Sequence, residues 1–136
     1  MEAEVTTMNK AERIEFVISE FRKADITIDE NQADKFVRLC DFMVEYNENV
    51  NLTSITEFSE VVVKHFVDSV LPFTMVDIPQ GSSFIDVGTG AGFPAIPLLI
   101  CRPDLKGTLC DSLNKRCIYL EKACELIGVK SEIIHA

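Results

Sequence analysis

The most informative segment of this sequence is Phe84-Ile85-Asp86-Val87-Gly88-Thr89-Gly90-Ala91-Gly92-Phe93-Pro94. Its first four residues are a mostly apolar run that is typical of a buried strand, and residues 95–101 continue as a helix whose first turn suits Pro94. Three alternating glycines lie between the two. Glycine has no Cβ, so this turn can adopt positive φ and let a ligand approach the backbone closely. The stretch therefore predicts a strand, a ligand-binding turn and a helix.

The residues that follow repeat this alternation of strand and helix. Residues 105–110 predict a second strand, residues 113–127 a helix that stops at Gly128, and residues 129–135 a third strand. Strands joined in this way form right-handed crossovers in a parallel sheet. The predicted fold class is therefore α/β, with a Rossmann-like core whose three-stranded sheet is incomplete and has an unpaired edge. The predicted helix over residues 113–127 is expected to bury Leu113, Cys117, Leu120, Cys124 and Ile127.

The first half of the chain predicts helices instead. Asp29 is the expected N-cap of a second helix that residues 47–51 end, and Thr56 with Glu57 is expected to begin a third that stops near Pro72. Turn-forming residues at 79–83 mark a boundary, so we predict a helical region over 1–79 and a ligand-binding domain beginning at 80–136. The expected buried positions are Ile14, Val17, Ile18 and Phe21; Ala33, Phe36, Val37, Cys40, Met43 and Val44; and Val61, Val62, Phe66, Val67 and Val70.

Composition places the chain among ordinary globular proteins. Of 136 residues, 47% are hydrophobic, so a core can form, and no apolar stretch approaches the length of a membrane span. Residues 1–9 are polar, which argues against a secretory signal. Residues 1–79 carry seven Lys or Arg against sixteen Asp or Glu, and residues 80–136 carry six of each. This charge argues against broad affinity for nucleic acid, so any such partner must meet a local basic patch.

The five cysteines predict neither a disulfide framework nor a metal site. Their number is odd, and no CxxC pair or zinc-type histidine spacing is present. A reducing cytoplasm is the simplest compartment for such a chain. Cys110, Cys117 and Cys124 recur every seven residues, which favours a packing role. The alternative is a redox sensor formed by Cys117 and Cys124, which lie two helical turns apart.

Three classes of ligand use a glycine turn of this kind. A phosphate-binding P-loop needs a Gly-Lys-Ser/Thr ending that is missing here, and the dinucleotide pattern needs glycine where the chain has Phe93. The pattern acidic-x-G-x-G-x-G, typical of S-adenosylmethionine (SAM) methyltransferases, is met from Asp86 onward. Asp111 follows the second strand, where a carboxylate can accept ribose hydroxyls. The alternative is a glycine-rich turn with no ligand and a solvated Asp111.

Four separate motifs make the chain recognisable. It closely resembles the bacterial glucose-inhibited division protein B family, the small-subunit ribosomal RNA guanine-N7 methyltransferases. The motifs occur in the family's order from about residue 30 to the C-terminus. They are Asn49-Val50-Asn51-Leu52-Thr53-Ser54-Ile55, Lys64-His65-Phe66-Val67-Asp68-Ser69-Val70, Phe84 to Leu98 with Arg102-Pro103, and Leu109-Cys110-Asp111-Ser112 with Lys115-Arg116.

The resemblance implies a class I methyltransferase fold with an N-terminal helical extension. It implies SAM as cofactor and 16S ribosomal RNA, or the small ribosomal subunit, as partner. From the composition and the residue spacing we expect no membrane and no metal. The family carries adenine-contacting residues beyond the position of Ala136, so we expect a C-terminally truncated chain. The alternatives are a SAM- or nucleotide-binding fragment without turnover and a plain α/β scaffold; the oligomeric state is left open. The residues expected to contact SAM are Gly88, Phe93, Gly90, Gly92, Asp111 and Asp86.

Guanine N7 carries an unprotonated lone pair, so its methylation needs no general base and depends on orientation. No catalytic residue is therefore assigned. His65 and Asp68 lie three apart on one helix face: either Asp68 orients His65 near the target base, or the two only fix the helix. Helix dipoles disfavour cations at an N-terminus, so the basic residues after Asp111 either contact a phosphate or form a solvated helix face. The candidate RNA-binding residues are Lys64, His65, Lys115 and Arg116; His135 is expected to be an ordinary strand-end residue.

Overall fold

A computed structural model describes residues 8–136 of the chain. Residues 1–9 are expected to contain no secretory signal. Of these, residues 1–7 lie outside the described residues. None of the helices in 8–136 has the length and apolar character needed to cross a membrane. The elements are α1 (Lys10–Lys23), α2 (Glu30–Tyr46), α3 (Phe58–Glu60), a π-helix (Val61–Val67), α4 (Asp68–Val70), a 3₁₀ helix (Leu71–Thr74), β1 (Ser83–Val87), α5 (Ala95–Cys101), β2 (Lys106–Asp111), α6 (Asn114–Ile127) and β3 (Glu132–His135).

The first two helices begin at polar caps. Asp29 is the N-cap of α2, as predicted, and its carboxylate accepts the N–H of Gln32 while the Gln32 side chain accepts the N–H of Asp29. Asn9 and Glu12 make the same reciprocal pair at α1. The predicted apolar stripes face a common core, where the ring of Phe36 lies 4.9 Å from those of both Phe21 and Phe66. Val44, Ile14 and Ile18 are only partly buried.

The third helical segment differs from the single helix that was predicted. Glu57, rather than Thr56, is the cap, because its carboxylate accepts the N–H of Glu60. A seven-residue π-helix follows, and the chain continues as 3₁₀ helix through Pro72 instead of stopping there. Proline is accommodated because it lies in the first turn of that 3₁₀ helix. The five residues predicted to be buried in this segment are all buried.

The three strands form a parallel sheet in the order β1-β2-β3, which confirms the predicted α/β class. Asp86 pairs with Leu109, and Asp111 pairs with His135. The prediction that β1 is a buried strand was wrong, since Ile85 and Val87 are 60% and 75% exposed. The reason is that, within residues 8–136, only the face of β1 that carries Phe84 is covered; a Cβ at Gly107 on that face would meet both Phe84 and Leu99.

The last helix, α6, ends as predicted at Gly128, which adopts the left-handed conformation with φ +70°. Leu113 was expected in its buried stripe, but it lies before the helix as the N-cap and is 51% exposed. Tyr119, which lies outside the predicted stripe, is also buried and stacks on Phe42 of α2, with ring centroids 5.7 Å apart. α6 therefore packs against the helical half of the chain. The division at residue 79 stays a prediction.

All five cysteines are free thiols, and four of them are buried. Burial raises the pKa of Cys40 and of Cys101 to about 12 and raises the pKa of Cys117 and Cys124 above the ordinary value. Cys110, Cys117 and Cys124 thus occupy the packing positions that their spacing predicted. Within residues 8–136, no group of three or more His, Cys, Asp or Glu side chains has the arrangement of a metal site.

Candidate functional site

The glycine turn between β1 and α5 is attached to the end of β2. The N–H groups of Gly88 and Thr89 both donate to the carbonyl of Cys110, at 2.8 and 3.0 Å. Gly88 and Gly90 have φ of +71° and +62°, a conformation that costs other residues free energy. A Cβ placed at either position would meet nothing within 4 Å. The glycines at 88 and 90 are therefore required by the backbone, and they leave open space beside the turn.

Gly92 is required for a different reason. Its φ is +95°, and a Cβ there would lie 2.5 Å from Ile96 Cδ1 and 3.0 Å from Leu120 Cδ2. Its N–H donates to the carbonyl of Thr89 within the turn. Close approach of the turn to α5 and α6 is enough to explain glycine at this position. A cofactor contact by Gly92 stays a prediction.

Asp111, at the end of β2, fixes the glycine turn by accepting a hydrogen bond from its backbone. It is 3% exposed, its Oδ2 accepts the N–H of Gly90 at 2.9 Å, and its Oδ1 accepts the N–H of Leu113 at 3.0 Å. Arg116 Nη1 lies 3.7 Å from Oδ1. Burial by itself would raise the pKa of Asp111, but the N–H groups of Leu113 and Gly90 together with Arg116 outweigh it, so the pKa lies below its ordinary value. The buried group is therefore a carboxylate at neutral pH.

Asp86 and Thr89 close the other side of the turn. The Thr89 hydroxyl donates to Asp86 Oδ2 at 2.8 Å, and Thr89 itself is buried. Sequence reasoning assigned Asp86 to the cofactor site and gave Thr89 no role. In the structure Asp86 fixes the turn through Thr89. The only feature of the sequence that pointed to a role for Thr89 was its position between two glycines of the turn.

His65 lies on the π-helix and contacts the end of the glycine turn. Its ring stacks on Phe93, with centroids 4.7 Å apart and planes at 24°. Its Nε2 lies 2.7 Å from Thr53 Oγ1, and the Ser69 hydroxyl donates to its carbonyl. The partner of the imidazole is thus Thr53. Burial lowers the pKa of His65 below its ordinary value, with the Asp68 carboxylate opposing the shift, so the ring is neutral at pH 7.

Thr53 belongs to a segment for which sequence reasoning named no individual site residue. Asn47 Oδ1 accepts the N–H groups of Leu52 and Thr53 at 2.8 and 3.0 Å, and Thr53 Oγ1 accepts the N–H of Ile55. These bonds hold the Thr53 hydroxyl against His65. The segment 49–55 was one of the motifs that carried the family resemblance, which was the available signal.

The four candidate RNA-binding residues have different surroundings. Lys64 is exposed and pairs with Glu60 at 2.9 Å. Arg116 is half-buried between the Asp111 carboxylate and the carbonyl of Asn51, at 3.4 Å from the latter. Lys115 is exposed and has no salt-bridge partner among residues 8–136. His65 stacks on Phe93. Of the three cations, Lys115 is therefore the one that a phosphate could reach at no cost to another interaction.

The turn fits the polar half of a nucleoside cofactor. A Cβ at Gly88 or Gly90 would project into open space beside the turn, so glycine at both positions leaves that space free for a ligand. A carboxylate has about four acceptor positions. Asp111 Oδ2 accepts one N–H bond in the structure, which leaves capacity for a hydroxyl donor. The residues present are therefore compatible with a ribose and a small charged group at this edge of the sheet.

A parallel Rossmann-like sheet with an acid-flanked glycine turn at the carboxyl end of its first strand is the architecture of class I methyltransferases. Within that class, residues 32–136 match the family model described as rRNA small subunit methyltransferase G, and the chain belongs to this family.

Curated relatives agree with this assignment. Ribosomal RNA small subunit methyltransferase G of Bacillus subtilis is 44% identical over 118 residues, which are 87% of this chain and 49% of that protein. The protein of the same name from Staphylococcus carnosus is 40% identical over 90% of this chain and 51% of its own length. That from Alkaliphilus metalliredigens is 47% identical over 76% and 43%. The chain spans about half the length of the curated relatives it matches.

Proposed function

We propose that the chain is part of a SAM-dependent methyltransferase that modifies N7 of a guanine in 16S ribosomal RNA. The observation that carries the proposal is the open glycine turn anchored by Asp111, in a chain that belongs to the rRNA small subunit methyltransferase G family. Gly88, Gly90 and Asp111 would hold the cofactor, with Phe93 at the end of the turn. Bound SAM supplies an electrophilic methyl group.

The work left to the protein is orientation. Guanine N7 is a free lone pair, so no side chain has to remove a proton before attack. A neutral His65, held by Thr53 and stacked on Phe93, provides a flat surface next to the turn without adding charge. Phe93 and His65 would hold the target base in a fixed position relative to the glycine turn.

RNA binding would depend on a local patch, because the chain carries a net charge of −9. Lys115 is the cation most available for a phosphate, since Lys64 and Arg116 already have partners. Each phosphate contact adds about one unit to the slope of log affinity against log salt. A shallow slope is therefore expected for binding through so few cations.

The test has two steps. Calorimetry of the chain with S-adenosylhomocysteine and with NAD should show binding of the first and none of the second. Transfer of a labelled methyl group to 16S rRNA is then measured with this chain and with one extended to the length of its relatives. N7 is identified by borohydride and aniline cleavage at the modified guanine. Absence of S-adenosylhomocysteine binding by the extended chain would exclude the proposed cofactor site.

A further inference from the structure

A cleft of about 460 Å³ lies beside His65, at the end of the glycine turn. It is shallow and largely open to solvent, so a flat group can lie against its walls. The cleft is formed where the π-helix, α4 and the 3₁₀ helix meet the start of α5. π-Helical segments are rare and often occur at functional sites. The residues that line it are Lys64, His65, Asp68, Ser69, Pro72, Phe73, Phe93 and Pro94.

The walls of the cleft are flat and largely apolar. The stacked rings of His65 and Phe93 form one side, and Phe73 with two prolines contributes further apolar surface. Stacking of a nucleic-acid base on an aromatic side chain is worth about 1–3 kcal/mol. Stacking alone does not select among bases, because every base has a π-face. Selection must come from the polar groups at the edge of the cleft.

The charge balance at that edge is negative. Asp68 is exposed at the cleft and has no salt-bridge partner among residues 8–136. Lys64, the one Lys or Arg among the lining residues, is paired with Glu60 at 2.9 Å. An ionised carboxylate accepts hydrogen bonds and cannot donate. The cleft therefore favours a ligand edge that presents donors and disfavours a phosphate.

Guanine is the base whose chemistry matches this edge. Its Watson–Crick edge carries two adjacent donors, N1–H and the N2 amine, which one carboxylate can accept together. Adenine and cytosine each place an acceptor beside their amine, and uracil has one N–H between two acceptors. Binding through N1 and N2 also leaves N7, on the opposite edge, free.

We propose that Asp68 selects guanine by accepting N1–H and the N2 amine of a base stacked in the cleft of His65, Phe73 and Phe93. The choice of a guanine in RNA as the target rests on the proposed function, whereas the choice of Asp68 rests on the geometry of the cleft. Asp68 is then a specificity residue, and His65 and Phe93 are the platform on which the base lies.

The test is a titration of the ¹⁵N-labelled chain with three nucleotides, followed at the amides and at the His65 ring. Guanosine monophosphate carries both donors, whereas inosine monophosphate keeps N1–H and lacks the amine. Adenosine monophosphate has an acceptor at N1 beside its amine and so lacks the pair of adjacent donors. Stacking plus a two-donor contact predicts a dissociation constant of about 1 mM for the guanine nucleotide. Inosine monophosphate should bind more weakly, and adenosine monophosphate at least about 5-fold more weakly than guanosine monophosphate.

The variant Asp68→Asn should abolish the preference while leaving residual stacking. Its side chain is exposed, so the amide spectrum outside the cleft should be unchanged. Glu125→Gln removes the same charge from an exposed position on α6 and should keep the preference. No shift at His65 with any nucleotide, or a guanine preference that survives in Asp68→Asn, would overturn the proposal. Failure of S-adenosylhomocysteine to bind would instead count against the proposed function and leave the base preference unaffected.

Discussion

The carboxylate of Asp111 accepts the backbone N–H of Gly90 at 2.9 Å. The acid at the end of β2 and the middle glycine of the turn after β1 are therefore one structural unit. Its consequence is that changes at Asp111 act on cofactor binding and on the conformation of the turn together. Separating the two effects needs stability and affinity to be measured on the same variants.

Replacement of Gly88 by alanine tests the turn with a matched control in the same chain. Gly88 and Gly81 share positive φ, at +71° and +78°, and a Cβ at either would meet nothing within 4 Å. Gly88→Ala and Gly81→Ala should each cost about 1–2 kcal/mol of unfolding free energy in urea. Only Gly88→Ala should weaken S-adenosylhomocysteine binding in calorimetry. Equal affinities for the two variants would remove Gly88 from the site.

Asp111→Asn should destabilise the fold by about 1–3 kcal/mol, since an amide NH₂ would face one of the two N–H donors. The pKa of Asp111 is below its ordinary value, so the stabilisation is present above about pH 4 and is lost as pH falls through the pKa of the folded state. Urea unfolding at several pH values should show the difference from the parent chain shrinking in acid. Glu125→Gln is the control with the same charge change. A loss that stayed constant down to pH 2 would contradict the assignment.

Lys115→Ala and Arg116→Ala should behave differently, although both residues were predicted from the sequence to bind RNA. Lys115 is exposed, so its loss should weaken binding of a 16S rRNA fragment and reduce the salt slope by about one. Stability and S-adenosylhomocysteine affinity should not change. Arg116 contacts Asp111 and Asn51, so its loss should also lower stability. Filter binding over a salt series measures the slopes. An unchanged slope for Lys115→Ala would mean that Lys115 contacts no phosphate.

The cysteines should resist alkylation in the folded chain. A thiol with a pKa of about 12, as at Cys40 and Cys101, is ionised in about one molecule in ten thousand at pH 8. Iodoacetamide labelling followed by intact mass should be at least about 100-fold slower in buffer than in guanidinium. Rapid native labelling at Cys117 and Cys124, located by peptide mapping, would support the redox-sensor alternative.

Much of the fold could be predicted from local patterns. The Asp29 cap, the stop at Gly128 and the buried stripe of Val61, Val62 and Phe66 were all correct. These features depend on residues a few positions apart, where helical periodicity and cap chemistry act directly. The π-helix after Glu60 was missed because its apolar positions satisfy an α-helical pattern equally well.

Local sequence patterns were enough to predict the order of strands, turn and helices, a glycine turn able to adopt positive φ, and the resemblance to the family. The folded structure alone shows which groups meet: Asp111 with Gly90, Thr53 with His65, and His65 with Phe93. It also decided that Ile85 and Val87 face outward. Such contacts join residues distant in the chain, and their partners are set by sheet register and helix packing, which no local pattern encodes.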